Sequence, residues 1–275
     1  MLARTEEQAD ALAAPGGRVY LDYEDPLRYP AAVLRLRSLG ASPWLATPRI
    51  QKPGEELRIF GNIRAAQPDG VLARNPGAVS WFQAQSPQLP LAGDYSLNCA
   101  NELSAAALMG LGLERLTPAY DLDFEQLSDL ARAVPRDWLE TVIHQHMPMF
   151  HNEHCVFAAR LSSGKDWTDC GRPCDTHRIA LRDRVGYEHP VKADVGCRNT
   201  VFNAVAQSAG EYLAAMRRLG LRRFRVEFLE EPAGEAVAVR GAYAAVLEGR
   251  ASGEALWSRF NLTRHFGVTR GPLSM

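Results

Sequence analysis

The chain has 275 residues, 46% hydrophobic and 23% charged, and its 31 Lys and Arg against 32 Asp and Glu give a formal net charge of −1. That balance leaves no global field to draw the whole molecule onto a polyanion, and the length suffices to bury a full core. No apolar run is long enough to span a bilayer, and the opening MLARTEEQADALAAPGG lacks the apolar stretch of a secretory signal. A cytoplasmic, reducing location is therefore expected, where clustered cysteines serve as ligands more readily than as cystines.

In chain order, a helix-like segment over Ala3–Ala14 comes first, then a short apolar strand at Val19–Tyr23. Asp25 with Pro26 reads as a helix start, and Gly40 as its stop. Strands follow at Pro43–Ala46, Gly70–Ala73 and Gly93–Leu97. Asn101 caps a helix ended by Gly112, with Leu103, Ala106 and Ala107 on its apolar stripe. After a strand at Arg115–Pro118, Asp123 and Gln126 form a capping box for a helix with Leu127, Leu130 and Ala131 on one side, and Pro135 ends it. Two more strands are expected at Glu140–His144 and Arg223–Phe228, and a helical tail at about 233–275. The basic run Arg217, Arg218, Arg222, Arg223, Arg225 reads as the solvated face and end of a helix.

Serial βα units without a Gly-rich phosphate fingerprint predict one α/β domain over 1–275, a TIM-like (β/α) barrel. Seven barrel strands are legible, so the barrel is expected to lack its first strand. The strand is lost, or supplied by a neighbouring chain, or the barrel is open. Before the last strand the rhythm breaks over about 150–205, where RIALRDRVGYEHPVKAD reads as a hairpin turning near Gly186.

That insertion holds Cys155, Cys170, Cys174 and Cys197 amid His151, His154, His177 and His189; Cys99 stands apart. Fourteen, three and twenty-two residues separate the four cysteines. Only the middle pair has the spacing of a zinc knuckle. Four thiolates drawn from separate loops beside Val156 and Phe157 suit a 4Fe–4S cluster at least as well. Structural zinc, with His151 or His154 recruited, and buried thiols without metal remain alternatives.

Polar residues just past barrel strands point into one mouth. Arg49, Asp94, Asn98, His144, His146 and Glu227 are the candidate catalytic residues on that ground; His144 and His146 alternate along a strand and share a face suited to a metal or to proton transfer. HNEH is not the HExxH zincin motif, and no GxSxG, P-loop or GxGxxG is present. Cys99 reads as a buried thiol rather than a nucleophile.

The run HMPMF-HNEHC, then CGRPC, LRDRVG and ADVGCRNTVFN, resembles the collagenase-like peptidase family U thirty-two. ATPRI, GDYSLN and TPAYDLD resemble its barrel strands, so the likeness covers about residues 18–232. The family's opening Pro-Ala-Gly strand motif is missing, and the chain resembles the C-terminal barrel portion of a large member. The resemblance implies a 4Fe–4S cluster on Cys155, Cys170, Cys174 and Cys197 at the mouth of an α/β barrel. It also implies oxygen-independent hydroxylation, or a part in it, acting on RNA bases or another aromatic substrate. The rivals are a peptidase, working through the histidines or Cys99, and a non-catalytic subunit stabilised by a cluster or zinc. Such a subunit would complete its barrel with a partner chain or a second copy. Arg178, Arg182 and Arg184, near the expected mouth, would meet RNA phosphates.

Overall fold

The structure is a computed structural model that describes residues 1–256, 268–269 and 271–274. Six strands, β1 (Leu2–Ala3), β2 (Arg18–Leu21), β3 (Ser42–Ala46), β4 (Gly70–Ala73), β5 (Leu91–Gly93) and β6 (Arg115–Leu116), lie side by side in chain order and all parallel. Helices α1 (Glu6–Leu12), α2 (Tyr29–Ser38), α3 (Glu56–Ala65), α4 (Pro76–Gln85), α5 (Glu102–Gly110) and α6 (Phe124–Ala133) connect and follow them. The capping signals are real: Asn101 and Asp123 each close a capping box, and Asp25 accepts from the Leu27 amide at 2.9 Å.

The expected gap at the first strand is filled by the chain itself. Leu2 pairs with Tyr20 and Ala3 with Leu21, so the parallel sheet does not lack this strand and needs no neighbour to supply it. Two residues, separated only by Arg4 from the Thr5 cap of α1, are too short to show a period-two pattern in sequence. Another expected strand, Gly93–Leu97, stops early. Asp94 bonds the Tyr95 amide at 2.9 Å and turns Tyr95–Leu97 into one 3₁₀ turn ending at Asn98 in the left-handed region (φ 56°).

The second sheet grows from β7 (Thr141–Asn152), far longer than the Glu140–His144 expected. After α7 (Val156–Leu161) come the hairpin β8 (Ile179–Arg182) and β9 (Glu188–Asp194), with Gly186 at φ 97° in its turn, and β10 (Arg198–Ser208). Then follow α8 (Leu213–Arg218), β11 (Phe224–Val226), α9 (Ala233–Leu247) and β12 (Val268–Thr269). The sheet order is β11-β7-β10-β9-β8, with β12 beside β10. β11 and β7 are parallel; β10 returns antiparallel to β7 with register shifts at Phe202. The helical tail is described at α9; residues 257–267 lie outside the described residues.

Two single parallel bridges touch both seams between the sheets. Leu116 pairs with Leu139, ahead of β7, and Leu2 with Glu227, just past β11. Backbone bonds from Glu140 to Leu116 (2.9 Å) and from Phe228 to Leu2 (3.0 Å) accompany them.

Alternation along the parallel strands separates two apolar layers. The outward residues, such as Val19, Leu21, Leu45, Val71 and Ala73, join the helices in the main core. The inward ones, Leu2, Tyr20, Trp44, Ala46, Leu72 and Ala92, form a compact second cluster. Gly70 is required there: a Cβ at this position would sit 2.5 Å from the Trp44 ring. Among the described residues no helix is long and apolar enough to cross a membrane.

Candidate active site beside a four-cysteine nest

Above the inner apolar cluster the strands turn polar, because their C-terminal ends carry Asp22, Arg74, Asp94 and Glu227. Arg74 donates to both oxygens of Asp22 (2.7 and 3.0 Å) and to Asp94 (2.8 Å). Arg225, also buried, donates to Asp94, to Glu227 (2.8 Å) and to Glu140 (3.1 Å). Arg4 reaches Asp22 at 3.1 Å and Glu227 at 3.6 Å. Lower down, Arg115 meets Glu140 at 3.3 Å, and Glu114 takes Arg18 and Arg115, each at 2.9 Å. The five arginines are thus matched by five carboxylates. Buried charges persist only when compensated in this way. Burial pushes the Asp22 carboxyl up, but the guanidiniums of Arg74 and Arg4 outweigh it and hold the group at about 2.

This network floors a cavity of about 650 Å³. One wall is Arg4, Asp22, Arg49, Arg74 and Tyr95 from the parallel sheet; the facing wall is His151, Lys192, Asp194, Thr200 and Phe202 from the second sheet. β7 supplies His151 because it runs on well past its pairing with β11, and β9 and β10 bring the rest alongside.

His151 is the unusual group. Its Nδ1 lies 2.9 Å from the Thr200 hydroxyl and 3.9 Å from Asp194, while its buried Nε2 has no hydrogen-bond partner among the described residues. Burial depresses its pKa, with Asp194 opposing, so the ring is neutral near pH 7. Asp194 moves the other way: burial, and then the charge of Asp22, raise its pKa. A neutral imidazole and a carboxyl that resists ionisation, side by side at a cavity wall, make a pair able to exchange a proton.

Cys155, Cys170, Cys174 and Cys197 line one small cavity with Phe157, Trp167 and Glu24, and none is in a disulfide. It adjoins the large one: Cys174, Glu24, Phe157, Arg172 and Ala193 line both. An apolar patch of Phe157, Val191 and Val201 packs against Cys155 and Cys174. Backbone amides point at the sulfurs, Ala158 to Cys155 and Arg172 to Cys170, each at 3.4 Å. Left-handed backbone at Gly171, Arg172, Gly196 and Cys197 bends the two loops inward. Burial pushes the Cys174 thiol up to about 11, and raises Cys197 as well. Such thiols ionise only when a cation balances them. Among the described residues no three His, Cys, Asp or Glu side chains stand together so as to hold a single metal ion. Four free thiols, amide donors to sulfur and an apolar backing are a donor set that fits an iron–sulfur cluster.

Of the six expected catalytic residues, only Arg49 lines the large cavity. Asp94 and Glu227 sit in the ionic floor. Asn98 is exposed and lies off the cavity wall. His144 and His146 are displaced from the expected mouth. His144 is buried against Tyr243 of α9 (Nδ1 to hydroxyl 3.3 Å) and Phe228, and burial lowers its pKa to about 4. His146 lies 2.7 Å from the Asn203 carbonyl and 3.4 Å from Glu231; burial opposes its charge, but Glu231 raises its pKa. A strand carries alternate residues to one face, yet which face meets the cavity is fixed by the β7–β10 pairing and its bulges. Of the insertion's arginines Arg178 lines the cavity, whereas Arg182 pairs with Glu188. Sequence reading passed over Thr200, which pairs with His151 on the neighbouring strand β10, and Asp194, one strand further on in β9; only this placement beside His151 singles them out.

Two curated relatives, each named tRNA hydroxylation protein P, from Helicobacter pylori strains 26695 and J99, are 24% identical over 178 residues. The match takes in 64% of this chain and 39% of theirs, so the chain spans well under half the length of these relatives. A solved chain described as a fructose-1,6-biphosphate aldolase from Coccidioides immitis aligns over 90% of this chain and 85% of its own, with 18% identity and a TM-score of 0.41. The profile of Peptidase family U32 matches residues 51–264, most of the sequence, and the chain belongs to that family.

Proposed function

We propose that this protein holds a 4Fe–4S cluster on Cys155, Cys170, Cys174 and Cys197 and takes part in oxygen-independent hydroxylation of an RNA base or another aromatic ring. The observation that carries the reading is the shared wall: four free thiols ring one small cavity, and Cys174 also faces the large polar one. A cluster, whose irons each take one thiolate, tolerates sulfurs further apart than a single zinc ion does, which favours it over zinc. We also infer that the two sheets close into one eight-stranded TIM-like barrel, since a parallel bridge spans each seam. In that geometry the cysteine nest stands at the C-terminal mouth, where such barrels keep their chemistry. Free thiols in number accord with a reducing, cytoplasmic setting.

When bound, the cluster would supply electron transfer or Lewis-acid activation of an oxygen donor. The chain's own residues have separate tasks. Tyr95 and Phe202, which line opposite walls, would bring aromatic rings to a flat substrate. Arg49 and Arg178 supply positive charge for a phosphate at the cavity edge. His151 would take a proton at Nε2, its orientation fixed by Thr200, with Asp194 as the adjacent proton holder. The name of the Helicobacter relatives supports RNA as the substrate.

A peptidase gains little from this geometry. Cys99 is fully buried and burial raises its thiol to about 11, so it is no nucleophile at neutral pH. The test is iron and acid-labile sulfide content, with an absorption spectrum, of anaerobically purified protein and its Cys174→Ser variant. Colourless, iron-free parent protein would sink the reading; a brown parent and a bleached variant would support it.

A further inference from the structure

At the N-terminal ends of the same strands lies a second cavity, of about 260 Å³. Its wall carries Arg18, Arg115, Arg222, Arg223 and Arg225 against the single carboxylate Glu140. Three of these guanidiniums are neutralised by carboxylates of the ionic network: Arg18, Arg115 and Arg225. Arg222 and Arg223 are not. Among the described residues neither has a carboxylate within ion-pair distance. They are held instead by backbone carbonyls: Arg222 Nη1 donates to Arg217 (2.7 Å) and Leu221 (2.8 Å), and Arg223 Nη1 to Asp137 (2.6 Å).

That fixing matters, because an ordinary solvated arginine wanders and spreads its charge. Here one nitrogen of each guanidinium is tied down, and the other N–H groups of the fork stay available. Arg115 adds a buried Nε with no partner among the described residues. Arg222 and Arg223, with their excess positive charge and preset forks, and Arg115 line one cavity roomy enough for a small oxyanion and its substituent.

We propose that this second cavity binds a phosphate group through Arg222, Arg223 and Arg115. Guanidinium forks match phosphate oxygens in pairs, and an anion there relieves the mutual repulsion of the arginines. The site stands on the opposite end of the strands from the cysteine nest and is independent of the function proposed for it. Two sources share this chemistry, a phosphate monoester on a small molecule and a phosphodiester of an RNA backbone.

The experiment is calorimetric titration of the full chain with inorganic phosphate at low ionic strength, with chloride as the matched control. The double variant Arg222→Ala/Arg223→Ala should bind phosphate at least about tenfold more weakly, with the salt dependence flattened. Arg217→Ala/Arg218→Ala, from the same basic run but off the cavity wall, should bind as the parent does. Absence of phosphate binding in the parent, or equal loss in both double variants, would overturn the site. Displacement of a fluorescent RNA oligonucleotide by phosphate, lost in the Arg222/Arg223 variant, identifies the phosphodiester source. If phosphate binds at these arginines without displacing RNA, the monoester source is identified.

Discussion

Arg74 donates to Asp94 across 2.8 Å, and the carboxylate that receives it is completely buried. Asp94 also takes Arg225, so it lies between two buried guanidiniums. Asp94→Ala would remove the anion they share, leaving Arg74 only Asp22 and Arg225 only Glu227 and Glu140 as carboxylate partners among the described residues. The expected loss is about 3–5 kcal/mol of unfolding free energy, read from urea denaturation. A loss below about 1 kcal/mol would mean that water or rearrangement replaces the carboxylate.

The same network dictates an acid limit. Asp22 has its folded pKa lowered to about 2, and Asp94 is lowered too, so their ionised forms stabilise the native state. A depressed carboxyl contributes fully above its unfolded pKa near 4 and loses that contribution as pH falls towards 2. Thermal unfolding scans should therefore show a steep fall in Tm between about pH 4 and pH 2. In Asp22→Asn the fall should be shallower, from a lower starting Tm.

The histidines should separate by function. His151→Gln removes the unpartnered Nε2 while leaving the fold unstrained, so turnover in the proposed reaction should fall about a hundredfold with Tm nearly unchanged. His144→Ala should do the reverse, losing about 2 kcal/mol of stability through its packing on Tyr243 and Phe228 and keeping turnover. Equal effects on turnover would return His144 to the site.

Cysteine substitutions should also divide. Cys99→Ala lies in the core away from the nest and should retain full iron content at a cost of about 1 kcal/mol. Cys155→Ser, Cys170→Ser and Cys197→Ser should each lower iron and sulfide together, measured on anaerobic protein. Retained iron in any of them would remove that residue from the ligand set.

Much of this was written in the local sequence. The helix cap at Asn101, the capping box at Asp123, the strand at Gly70–Ala73 and the hairpin about Gly186 each depend on residues within a few positions of one another, and they stand where sequence reading puts them. The four cysteines were legible for another reason: thiols are rare, and their clustering is visible without knowing the fold.

What the sequence could not decide was facing and partnership between distant segments. Leu2–Ala3 becomes a strand only because Tyr20 and Leu21 lie beside it. His144 and His151 sit on one continuous strand, yet the pairing with β10 buries the first against α9 and brings the second to the cavity. Asp194 comes to lie beside His151, forty-three residues away in the chain, at the cavity wall. Short-range hydrogen bonding and residue chemistry set the elements and marked out the clustered cysteines; register, bulges and packing across the two sheets chose which side chains share a cavity, because those depend on contacts that no local window contains.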